Sequence, residues 1–116
     1  KPILDRRRSI RVDEKLPFKI GHEAFEAEAN TLNISAHGAL CLVEKDIPIM
    51  TQIRVSLALP GRGKSKGKTI RLKAAIVRKE RQSKDGPFLV ALYFSDISVS
   101  DREYLQKYIE SRLVSN

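Results

Sequence analysis

The chain holds one cysteine, no tryptophan and only two histidines in 116 residues. A single thiol, Cys41, cannot close an internal disulfide, which fits a reducing compartment. His22 and His37 stand apart, with no Cys, His or carboxylate at metal-ligand spacing, so no metal site is assigned. There is no nucleophile–base constellation, and the chain is not expected to be an enzyme or to carry a cofactor. Cys41 lies in the apolar run 38–43 and reads as a buried, inert thiol. No apolar run approaches the length that spans a bilayer, and the N-terminus lacks the apolar stretch of a secretory signal. A cytoplasmic domain is therefore expected. The first residue is Lys1 rather than Met, which leaves room for a longer parent protein.

An apolar fraction of 41% against 31% charged residues indicates a globular chain, and 116 residues suffice for one domain with its own core. Twenty-two basic residues against 14 acidic ones give a net charge of +8 and a pI near 9.9. Such a surface attracts anions of some kind: nucleotides, nucleic acid, acidic proteins or lipid head groups.

The pattern along the chain is mostly that of strands. The first fifteen residues are polar and Arg-rich, without apolar periodicity, and read as an arm. Residues 16–20 form a short apolar run ended by Gly21-His22. From 24 to 34 the chain alternates, with Phe25, Ala27, Ala29 and Thr31 on one face and Glu26, Glu28 and Asn30 on the other. Ser35-Ala36-His37-Gly38 turns the chain into a buried strand at 39–43. The loop 44–52 carries Ile47, Pro48, Ile49 and Met50 and is expected to fold over a barrel end. Alternating Ile53, Val55, Leu57 and Leu59, then Ile70, Leu72, Ala74 and Ile76, mark two more strands around a Gly/Lys-rich tip, and 88–94 is the last. The period then changes. Ser100-Asp101-Arg102-Glu103 has the form of a capping box, with Ser100 as N-cap. Leu105, Ile109 and Leu113 follow on one face of a helix over about 100–114, flanked by Tyr104, Tyr108 and Arg112. Strands separated by turns and closed by one helix suggest a small antiparallel barrel.

Two short motifs carry the chemistry. Asp5-Arg6-Arg7-Arg8-Ser9-Ile10-Arg11 offers several guanidiniums, planar forks suited to phosphates and to the acceptor edge of guanine. Asn33-Ile34-Ser35-Ala36-His37-Gly38 offers an amide, a hydroxyl and a glycine where backbone can approach a ligand. Alone, the first reads as a solvated basic arm and the second as a β-turn in which Gly38 supplies a positive φ. Asn33-Ile34-Ser35 also fits a glycosylation sequon, a chance match in a cytoplasmic chain. Together the motifs describe a site for a small anionic purine nucleotide. The tip Gly61-Arg62-Gly63-Lys64-Ser65-Lys66-Gly67-Lys68-Thr69 imitates a P-loop, but Arg62 stands where the first Gly belongs and a strand pattern follows.

As a pair, the motifs resemble the signatures of the PilZ domain family, RxxxR and (D/N)xSxxG: here Arg7-Arg8-Ser9-Ile10-Arg11 and Asn33-Ile34-Ser35-Ala36-His37-Gly38. The resemblance implies an all-β fold with one C-terminal helix, a six-stranded antiparallel barrel of split-barrel type, with residues 1–15 as arm and 16–116 as barrel and helix. It implies a bacterial receptor for cyclic di-GMP that transmits ligand binding, by ordering the arm, to an effector protein or attached domain. Arg7 and Arg11 would take phosphate oxygens and the O6/N7 edge of guanine, Asn33 and Ser35 a guanine edge, and Gly38 would admit the ligand against the backbone. A basic residue directly before RxxxR goes, in this family, with an intercalated pair of ligands. Arg6 is basic, so two cyclic di-GMP molecules per domain are expected, with Arg6 and Arg8 helping to neutralise four phosphates. The chain departs from the family at Ala91, where many members carry Gly, and in having no Trp to stack on guanine; Arg78 is the candidate substitute. Two other readings stand beside this one. One is a nucleic-acid-binding barrel that uses the +8 charge and the six basic residues between Arg62 and Lys73. The other is a degenerate PilZ domain that binds only protein. The output, whether motility, secretion, polysaccharide synthesis or transcription, is not encoded here.

Overall fold

A computed structural model describes residues 10–114 apart from 24, 62 and 65. Six strands and one helix follow in order: β1 (Pro17–His22), β2 (Phe25–Ile34), β3 (Gly38–Val43), β4 (Gln52–Leu59), β5 (Lys68–Arg81), β6 (Phe88–Asp96) and α1 (Val99–Val114). All strand pairs are antiparallel, and the ring runs β1-β2-β3-β6-β5-β4, closed by β4 pairing with β1. This is the expected six-stranded barrel with a helix near its C-terminus.

The alternation of apolar residues is the cause of the closure. Ile53, Val55, Leu57 and Leu59 of β4 and Ile70, Leu72, Ala74 and Ile76 of β5 are all buried, and they meet Ile20, Ile34, Cys41, Val43, Val90 and Leu92 in one core. Cys41 is fully buried, and desolvation pushes its thiol up to about 12. β2 keeps a strict period of two only as far as Thr31. A bulge between Thr31 and Asn33 leaves Leu32 exposed and brings Ile34 back into the core. Among the described residues no helix is long and apolar enough to cross a membrane.

Three local expectations are corrected. The N-cap of α1 is Ser98, not Ser100: Ser98 Oγ accepts the Asp101 N–H at 3.1 Å, and its carbonyl accepts the Arg102 N–H at 2.9 Å. The helix buries Leu105, Tyr108 and Ile109, whereas Leu113 stays 41% exposed. Burial of Leu105 and Ile109 contributes roughly 1.5–3 kcal/mol each. In the loop 44–51, Ile47 is buried but Ile49 and Met50 point out, and Met50 takes a φ of 75°. The P-loop imitation ends as expected, with Lys68-Thr69-Ile70 entering strand β5.

Candidate functional site

The two motifs meet at the end of β2. Arg11 Nη1 donates to Asn33 Oδ1 at 2.9 Å, joining residues 22 apart. The arrangement follows from the backbone: Val12 and Ile34 exchange N–H···O bonds of 3.0 Å each way, so the chain before β1 lies along the end of β2. Val12 is buried, whereas Arg11 is exposed, so its remaining donors face solvent. Arg6, Arg7 and Arg8 lie outside the described residues.

Ser35 and Gly38 sit behind this junction. Ser35 is 1% exposed. Its hydroxyl accepts the N–H groups of His37 and Gly38 at 3.2 Å each and lies 3.3 Å from the Gly38 carbonyl. The Ser35 N–H donates to that carbonyl at 2.9 Å, so side chain and backbone together close the turn. Gly38 has no positive φ; the described glycines that do are Gly63 and Gly67. Its reason is packing: a Cβ there would stand 2.3 Å from the Leu92 carbonyl oxygen of β6. The hydroxyl and the glycine thus fix the shape of the turn from inside, while Asn33 and His37 are the half-buried members of the second motif.

Strand register extends the site sideways. Asn33 pairs with Leu40, Leu40 with Ala91, and Ala91 with Arg78, one row across the outside of β2, β3, β6 and β5. Leu40 and Ala91 are half-buried and flat, and Arg78 is exposed at the far end. The row therefore has hydrogen-bonding groups at one end, a guanidinium at the other and apolar floor between.

Sequence reasoning missed the residues that hold the site in place. Thr31 Oγ1 donates to the Glu14 carbonyl at 2.6 Å and accepts the Leu16 N–H at 2.9 Å, tying the segment before β1 to β2. Glu14 Oε1 accepts the Tyr108 hydroxyl at 2.9 Å, and that oxygen in turn accepts Arg112 Nη2 at 3.0 Å. Arg112 Nε stands 3.5 Å from Glu14, a charge contact without hydrogen-bond geometry. Burial raises the Tyr108 phenol pKa, with the Arg112 bond opposing and Glu14 reinforcing the shift. Farther up the helix, Arg102 donates to the Ala36 carbonyl at 3.1 Å and touches His37 Nδ1. Their signal in the sequence is faint: Arg102, Tyr108 and Arg112 read as helix-face residues, and nothing local links them to residues 14 or 36.

Comparison with known proteins follows the same outline. None of the curated proteins searched matches the chain. Among solved structures, the Bacillus subtilis inhibitor of motility (MotI/DgrA) is 24% identical with a TM-score of 0.84, over 96% of this chain and 53% of that one. YcgR from Escherichia coli, solved in complex with c-di-GMP, is 13% identical with a TM-score of 0.72, over 95% of this chain and 47% of that one. The isolated PilZ domain of YcgR, also with c-di-GMP, is 16% identical with a TM-score of 0.63 and matches over 91% and 90%. The chain thus spans about half the length of the first two structures. At these identities the likeness is one of fold. The profile of the PilZ domain matches residues 5–111, nearly the whole sequence and both of its motifs, and the chain belongs to the PilZ domain family.

Proposed function

We propose that this domain is a bacterial, cytoplasmic, non-enzymatic receptor for cyclic di-GMP. The observation that carries the reading is the hydrogen bond from Arg11 to Asn33, which puts the two signature motifs at one point on the outer surface. Two of the similar structures are described as c-di-GMP complexes, which supports the choice of ligand. Arg7 and Arg11 grip phosphate and guanine through charge-assisted bonds, and Asn33 reads a guanine edge. Ser35 and Gly38 hold the turn from which Asn33 projects. The flat row Leu40–Ala91 receives a base, and Arg78 stacks on it from the far side. Arg6 and Arg8 serve a second, intercalated ligand molecule.

Residues 1–15 act as the arm and 16–116 as the receiving barrel and helix. The arm is anchored where Val12 and Glu14 are tied to the barrel, so ligand binding orders what lies ahead of that anchor. The ordered arm changes the surface offered to an effector protein or attached domain.

Isothermal titration of cyclic di-GMP into the domain, with GTP as control, tests this. Saturable binding near two ligands per domain is expected. Arg7→Ala or Arg11→Ala removes charge-assisted bonds of about 1.5–3 kcal/mol, a weakening of roughly 10- to 150-fold, with an unchanged melting temperature. One ligand per domain refutes the role given to Arg6 alone. Full affinity in both variants refutes the site.

A further inference from the structure

The outer face of β1, β4 and β5 carries a cluster of cations that make no ion pair among the described residues. Antiparallel register places Glu28, Lys19, Ser56 and Arg71 in one lateral row across β2, β1, β4 and β5. The next outward row reads Glu26, Gly21, Arg54, Lys73 and Asp96. Lys19, Arg54, Arg71 and Lys73 therefore form a quartet around the small residues Gly21 and Ser56: Arg54 and Lys73 are direct neighbours about 5 Å apart, Arg71 and Lys73 lie about 7 Å apart along β5, and Lys19 faces Arg71 across Ser56 at about 10 Å. Four cations elsewhere are paired, Lys68 with Asp101, Lys79 with Asp46, Arg78 with Glu80 and Arg112 with Glu14, and the remaining unpaired ones are not gathered on adjoining rows as these are. The four of the quartet are exposed and make no hydrogen bond or ion pair among the described residues, although carboxylates flank them. Arg54 directly opposite Lys73 is a like-charge cross-strand pair, an arrangement that costs stability.

The quartet is also shaped. Arg54 lies flat on the backbone of Gly21, where a Cβ would come within 3.2 Å of its Nη2. A glycine at this position seats the guanidinium against the sheet and limits its freedom. On either side of the Arg71 ridge open two troughs, of about 470 and 430 Å³, that share Ser56 and Arg71. Each has room for a carboxylate side chain reaching toward the cations.

We infer that this outer face of β1, β4 and β5 is a docking surface for a protein that presents a cluster of carboxylates bordered by basic residues. The sign pattern selects this occupant. Across both rows the charges run negative, positive, positive, with Asp96 returning to negative at the far rim. A phosphate backbone crossing the face would run over Glu26, Glu28 and Asp96, and neither row holds an aromatic side chain for a base to stack on. A membrane would need apolar anchors, which the rows also lack. A protein patch of complementary, mixed sign satisfies centre and rim together. In the ring order the two surfaces share only β5, where Arg71 and Lys73 belong to this face and Arg78, five residues beyond Lys73, belongs to the nucleotide row, so partner and nucleotide use different residues.

The test is an amide chemical-shift titration of the whole chain. The probe is a synthetic helical peptide with Glu at i, i+3 and i+4 and Lys at its borders; a Gln-for-Glu peptide and a short DNA duplex run alongside. The expected result is saturable shifts confined to Lys19, Gly21, Arg54, Ser56, Arg71 and Lys73. They weaken about tenfold or more between low and high salt, roughly 50 and 300 mM. The double variant Arg54→Glu/Arg71→Glu loses them, melts no lower than the parent because the like-charge pair is gone, and binds cyclic di-GMP as the parent does. The inference is overturned by the absence of shifts, by equal binding in the double variant or to the Gln peptide, or by a duplex that saturates the same amides at lower concentration than the peptide.

Discussion

Replacing Gly38 by alanine separates a packing role from a ligand role. The added Cβ would stand 2.3 Å from the Leu92 carbonyl oxygen, about 0.7 Å inside the 3.0 Å that real Cβ atoms keep. The obstacle is backbone, so no rotamer relieves it: β3 and β6 must part. Parting strains the Gly38–Tyr93 pair, the Phe94 N–H bond to the His37 carbonyl at 2.8 Å and the Ser35 turn beside it. Overpacking costs about 1–3 kcal/mol and each weakened hydrogen bond about 1 kcal/mol, so Gly38→Ala should cost roughly 2–4 kcal/mol. For a domain of this size that lowers the melting temperature by roughly 8–20 °C. Calorimetry of the unliganded variant reads the shift directly. An unchanged melting temperature with lost nucleotide affinity would refute the packing argument and return Gly38 to the ligand.

Other outcomes follow from single groups. Ser35→Ala leaves the His37 and Gly38 N–H groups without their acceptor, and urea unfolding should register a loss of about 1–3 kcal/mol; a loss under ~0.5 kcal/mol would mean the hydroxyl does not organise the turn. Ser98→Ala should cost about 1 kcal/mol as an N-cap while Ser100→Ala costs little, and the reverse order would restore Ser100 as the cap. Cys41 binds its proton more tightly folded than unfolded, so its contribution is complete below pH 9 and is lost as pH rises from 9.0 toward about 12. Over that window the parent should lose stability faster than Cys41→Ala by on the order of 1.4 kcal/mol per pH unit; parallel slopes would contradict the burial of the thiol.

The strands were legible wherever one face is buried and the other wet. Ile53, Val55, Leu57 and Leu59 announce β4 through a period of two, and Ile70 to Ile76 announce β5 the same way. That the two motifs could be brought together was legible, because both segments flank a single hairpin, but the hydrogen bond between Arg11 and Asn33 themselves was not. What stayed hidden is set by partners distant in sequence. Gly38 answers to Leu92, and Arg54 opposite Lys73 emerges only once β4 and β5 are in register. Ser98 and Ser100 are both serines followed three residues later by an acid, so local chemistry permits either cap. Leu113 has the right period yet stays exposed, and period alone does not say where the surface under a helix ends.

Helix α1 touches both halves of the proposed nucleotide site from behind. Its Tyr108 and Arg112 engage Glu14 at the root of the arm, and its Arg102 engages the Ala36 carbonyl in the turn. These contacts bind the docking of the helix and the geometry of the site into one equilibrium. Under the proposed function, reciprocity applies: a protein that grips α1 and alters its seat would change nucleotide affinity by some factor, and the nucleotide would change the affinity for that protein by the same factor. The helix is therefore a second handle on the proposed receptor, one that would work without touching the ligand.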